Sequence, residues 1–217
     1  MKLRLFVITL FIVVSGSIQS MADSGPTHWK FIKLVDTSTS MSEGLDGLVS
    51  PIGAPALSQD DVSFQCRDRW GNEAICGILG GSLTMIADTH THVPDGTDEF
   101  FSLNLFDLPV SLDDGIVAFY GSVAGVGFGV YAYENGTLQT IADTRTPVPN
   151  GSSDFVTVFS AVVSNGNVAF RGTALNNQPA GIYLNSGGLI SVLADTNTLV
   201  PETDKTFQSV TIQRNLQ

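Results

Sequence analysis

The densest concentration of side chains able to do chemistry in this 217-residue chain lies between Asp88 and Glu99. That stretch, DTHTHVPDGTDE, holds His90 and His92 among four carboxylates: Asp88, Asp95, Asp98 and Glu99. Histidine nitrogens suit Zn²⁺, and carboxylate oxygens alone suit Ca²⁺, so a metal site of either kind is the chemistry these residues could support. Their spacing matches no standard metal loop. A second concentration surrounds the only two cysteines, Cys66 and Cys76, which bracket Arg67, Arg69 and Trp70. Elsewhere the chain carries no nucleophile-elbow motif, no metal-protease helix and no paired catalytic signature.

Asp88 belongs to a repeat. Four segments run from an aliphatic residue into Asp-Thr and a turn-rich loop: LVDTSTSMSEG from Leu34, IADTHTHVPDG from Ile86, IADTRTPVPNG from Ile141 and LADTNTLVPET from Leu193. The aspartates Asp36, Asp88, Asp143 and Asp195 are spaced by 52, 55 and 52 residues. Two readings are open. The carboxylates could form a row of cation ligands, or Asp and Thr could bond nearby backbone N–H groups and bend the chain. Recurrence in every copy favours the bend. His90 corresponds to Arg145 and Asn197, and His92 to Pro147 and Leu199. The motif thus tolerates non-ligands at both positions, which favours a solvated acidic connector over a metal loop and leaves no cofactor as the favoured expectation.

Between these anchors the composition is rich in Val, Ile, Phe, Thr and Gly, without a long amphipathic helical stretch, and predicts an all-β fold. The third unit is the clearest: strands at 155–164, 167–173, 181–185 and 189–195, with Asn165-Gly166 and Ser186-Gly187-Gly188 as turns. Asn-Gly between alternating apolar residues is a strong hairpin signal because both residues tolerate positive φ. Second-strand phenylalanines recur at Phe64, Phe119 and Phe170, and third-strand glycines are expected at Gly77, Gly129 and Gly181. Four antiparallel strands per period of about 52 residues predict β-propeller-like repeat units. Whole units span about 48–88, 100–143 and 155–195, after a lone fourth strand at 31–36 and before the start of a further unit at 207–217.

The units also resemble a known family. Ala142-Asp143-Thr144, Pro149, Gly151 and Phe155 are followed by Asn167-Val168-Ala169-Phe170-Arg171-Gly172 and by Gly181-Ile182-Tyr183. This is similar to exported bacterial tandem-repeat proteins of pattern ADTxTxxPxG, NVAFRG and GIY, many of which carry PEP-CTERM-type sorting signals. The resemblance implies a propeller-like secreted repeat domain, largely without assigned activity. Three whole units and two orphan strands fall short of the roughly 4 to 8 blades of a closed propeller. A piece of a longer protein is the favoured explanation, with self-association or an open arc as alternatives.

Cys66 ends a second strand where the other units have Gly121 and Gly172, and Cys76 is expected to stand where they have Phe128 and Ala180. The two would face each other across a hairpin and form a disulfide in an oxidising compartment. Such a bridge would pin the loop holding Arg67, Arg69 and Trp70, residue types favoured at binding hot spots. Equally open is a Trp70 folded over an apolar edge, with both arginines satisfying local acidic groups.

Residues 1–22 read as a signal peptide: Lys2 and Arg4, an uncharged apolar run from Leu5 to Val14, then Ser20-Met21-Ala22 as a small-x-small cleavage site. The run is too short for the roughly 20 residues that span a bilayer, and no second one follows. The mature domain, 23–217, keeps 8 basic against 21 acidic residues, a net charge of −13. A surface that acidic repels phosphate backbones and anionic lipid, which argues against nucleic-acid and membrane-surface partners. The sequence therefore points to an exported, non-catalytic binding or structural module whose partner is a protein or a glycan. The alternatives are an exported hydrolase or lyase using carboxylates or a metal on the connector face, and a Ca²⁺-dependent surface assembly module.

Overall fold

The computed structural model describes residues 12–13, 32–36, 39, 50–68, 70–94, 96–103, 109–175 and 180–212. Every element among them is a strand. Short β1 (Ile12–Val13) pairs with β2 (Ile32–Lys33). Three larger antiparallel sheets follow, none closed into a barrel. The first runs β3 (Ser50–Ser58), β4 (Asp61–Arg67), β5 (Glu73–Leu79), β6 (Ser82–Asp88). The second holds β7 (Phe100–Ser102), β8 (Ser111–Asp113), β9 (Ile116–Val123), β10 (Gly127–Glu134) and β11 (Thr137–Asp143), with β7 and β8 both pairing β9. The third runs β12 (Phe155–Ser164), β13 (Asn167–Ala174), β14 (Gly181–Ser186), β15 (Leu189–Asp195).

Local chemistry explains the hairpins. Asp114-Gly115, Asn135-Gly136 and Asn165-Gly166 all adopt positive φ at both residues, as tight antiparallel turns require. First strands are irregular. β3 bulges between Ile52 and Ala56, where Pro55 can sit without breaking a ladder, and β12 bulges between Phe159 and Val162. In the second sheet the first strand is split into β7 and β8, on either side of residues 103–110.

Each sheet buries one face against the next. β8 packs on β3 and β4, and β12 packs on β8, β9 and β10. One core cluster joins the first and second sheets through Ile75, Ile86, Leu112 and Val117, and another joins the second and third through Val130, Ile141, Val158 and Val163. A third sets Val35 against Phe64, Cys66 and Cys76. Ladders between third and fourth strands shift at the same place in all three sheets, leaving Ile86, Ile141 and Leu193 as the extra residues. The first two are buried against the following sheet, whereas Leu193 is 53% exposed.

Register corrects the expected alignment of the first unit. Gly129 pairs with Asp143 and Gly181 with Asp195, but it is Ala74, not Gly77, that pairs with Asp88. Cys76 therefore occupies the place of Tyr131 and Tyr183, not of Phe128 and Ala180. The cause is steric. A Cβ on Gly129 would lie 2.7 Å from the Tyr131 hydroxyl, and one on Gly121 would lie 2.9 Å from the Phe100 ring and 3.3 Å from that of Tyr131. Where cysteine replaces the ring, those positions can carry side chains, and they are Ala74 and Cys66.

Candidate binding surface

All four recurrent aspartates make the same turn. The Asp88 N–H donates to Thr91 Oγ1 (2.9 Å), while its Oδ1 accepts from the His90 N–H (3.0 Å) and the Thr91 hydroxyl (2.6 Å). Asp143 does this with Arg145 and Thr146, and Asp195 with Asn197 and Thr198. Asp36 bonds Thr39 in the same way. The working threonine is thus the one three residues on, while the adjacent Thr144 extends the ladder through its N–H to Phe128 O. The turn leads into a small hairpin, closed by bridges His92 to Glu99, Pro147 to Asp154 and Leu199 to Thr206. Connectors are built structures, anchored by buried Val93 and Val148.

This geometry disperses the His90–Glu99 cluster. His90, His92, Asp98 and Glu99 are exposed, whereas Asp88 is buried and already engaged. His90 Nδ1 lies 3.8 Å from Asp88 Oδ2. Among the described residues no three His, Cys, Asp or Glu side chains converge on a point that could hold a metal ion. Asp95 lies outside the described residues. In the next connector a cation serves the carboxylate instead: Arg145 donates through Nε (2.9 Å) and Nη2 (2.6 Å) to Asp143 Oδ2. That hydrogen bond holds the Arg145 guanidinium above its ordinary pKa.

The cysteine loop is organised by residues whose roles the sequence did not signal. Cys66 and Cys76 stand diagonally on β4 and β5, with Cα atoms 6.6 Å apart and sulfurs within bonding distance. Both are fully buried. Beyond Cys66, buried Asp68 accepts the N–H groups of Trp70 (2.8 Å) and Asn72 (2.9 Å) and the Asn72 amide (2.7 Å). Burial alone would raise its pKa, but these donors outweigh it and hold Asp68 below the usual carboxylate range. Glu73 takes Arg67 on Oε1 (2.9 Å), and on Oε2 the Ser102 hydroxyl (2.7 Å) and the Leu103 N–H (3.1 Å). Burial opposes its charge, yet these partners keep its pKa low as well. Glu73 thus ties the first sheet to the second and Arg67 is paired to it, while Trp70 is 63% exposed. Arg69 lies outside the described residues.

Residues Cys66, Ala74 and Asp88 are successive ladder partners, so the Trp70 loop and the connector after Asp88 leave the first sheet at the same end. Replacing both cysteines by serine should lower unfolding free energy by about 2–3 kcal/mol, the usual weight of a short-loop bridge. Amide exchange should show Asp68, Trp70, Gly71 and Asn72 still protected in that variant, because Asp68 holds the loop independently.

Residues 61–216 match the model of the DUF7453 family, a family of unknown function. The chain belongs to the DUF7453 family. No curated protein matches it. The match covers all three large sheets apart from β3. No helix among the described residues is long and apolar enough to cross a membrane.

Proposed function

We propose that this DUF7453 protein is an exported, non-catalytic binding module: a propeller-like arc of repeat units that presents Trp70 to a glycan or protein ligand. One observation carries the reading. Every recurrent aspartate engages its Oδ1 in a turn, whereas the exposed tryptophan is unique to one unit and sits on a loop fixed by Asp68. A large aromatic on a preordered loop binds with little entropic cost. The propeller-like arrangement is supported by β3, β8 and β12, the first strands, which lie side by side as innermost strands would. Export is supported by the cysteine pair at bonding distance.

The test is a glycan array probed with residues 23–217 and with Trp70→Ala. Binding should fall by about tenfold or more in the variant, with an unchanged melting temperature. Equal binding by the variant, or cleavage of the bound glycan, would contradict the proposal.

A further inference from the structure

The two seams between sheets are not filled alike. By register, Leu79, Glu134 and Ser186 are equivalent, as are Ile78, Tyr133 and Asn185. In the seam between the first and second sheets, Leu79 and Tyr133 pack against the shared core. In the seam between the second and third sheets, Glu134 replaces that leucine and Asn185 replaces that tyrosine. The result is a cleft of 170 Å³ with Ile116, Ile141 and Val168 among its apolar walls and Glu134, Gln139 and Asn185 at its polar rim. The three apolar residues are themselves buried, so the core itself forms the floor. Glu134 has no ion-pair partner among the described residues.

We infer that this cleft is a binding site for a small aliphatic primary amine, its ammonium on Glu134 and its carbon chain against the apolar floor. Size and charge both select that class. A cavity of about 150 Å³ accepts a benzene-sized body, so a five- or six-atom chain fits. A carboxylate at an apolar pocket's mouth favours a cation that brings its own hydrogen-bond donors, and the protein's acidity adds long-range attraction. Anions are disfavoured on the same grounds. The site lies at the hairpin end, away from the Trp70 loop, and is independent of the ligand proposed for that loop.

The probe is n-pentylammonium chloride, with n-pentanol as the uncharged control, titrated into residues 23–217 while the amide resonances of Gly166 and Gly187 are followed. Pentylammonium should give saturable shifts in the millimolar range, weakened about tenfold in Glu134→Gln, the weight of one charge-assisted contact. Glu134→Leu combined with Asn185→Tyr, which copies the filled seam, should abolish the shifts and raise the melting temperature. Absence of saturation in the wild-type protein would overturn the inference. So would equal affinity for pentanol, or undiminished binding in Glu134→Gln.

Discussion

Phe155→Ala is expected to be the most damaging single substitution, lowering unfolding free energy by about 3–5 kcal/mol. Phe155 is 2% exposed and opens β12, where its ring meets Tyr183 edge-on at 4.8 Å and Phe170 at 5.8 Å. Tyr183 and Phe170 stack at 5.7 Å behind it. A Cβ on Gly172 would come within 2.7 Å of the Phe155 ring, so the backbone there is already closed against the aromatic face. Neither neighbour can slide in to fill the void, which places the cost towards the upper end of that range. Phe100 makes the equivalent contact with Tyr131 in the second sheet, also at 4.8 Å. The first sheet has cysteines where these tyrosine and glycine positions stand, so a disulfide takes over a role that aromatic packing fills elsewhere. Denaturant unfolding of residues 23–217 checks the prediction. A loss under about 1 kcal/mol would mean that the aromatic trio does not lock the sheet.

Asp143→Ala should cost about 2–3 kcal/mol. The substitution removes the acceptor for the Arg145 N–H, the Thr146 hydroxyl and two guanidinium donors together. Asp143 is 3% exposed, so water cannot readily replace it. Thr146→Val isolates the turn from the ion pair and should cost less, about 1 kcal/mol, since it removes one hydroxyl that both accepts and donates. Asp195→Ala should fall between the two, because its turn bonds Asn197 and Thr198 without an arginine. Denaturant midpoints for the three variants should follow that order. Midpoints equal to that of the wild-type protein would mean that the turn carries no stability of its own.

Much of this architecture was legible in the residues. The 52–55 residue period of Asp36, Asp88, Asp143 and Asp195 and the Asn-Gly turns point to antiparallel four-stranded sheets, because both reflect local chemistry. Side-chain pairing was harder to read. Gly77 shares its residue type with Gly129 and Gly181 but not its place, and the crowding that demands glycine comes from the Tyr131 ring at Gly129 but from Ala194 O and Asp195 Cβ at Gly181. The second threonine of each copy was visible at a constant offset, yet its role emerges only when the chain turns back on Asp. Asp68 and Glu73 carried no repeat signal, because each acts through contacts unique to the first unit and its seam. The same reasoning explains the cleft at Glu134. Its meaning comes from the facing residue Asn185, about 50 positions away in the chain.

Metal response is the most direct test of the claim that the recurrent carboxylates build turns and do not ligate cations. Residues 23–217 and the Asp88→Asn variant would be titrated with Ca²⁺ and with Zn²⁺ by calorimetry, and their melting followed in each metal and in EDTA. Structural turns predict no saturable heat in either protein and a melting temperature lowered by Asp88→Asn to the same extent with metal as without. A metal-dependent rise in melting temperature that disappears in Asp88→Asn would show instead that the Asp-Thr connectors are ligand sites.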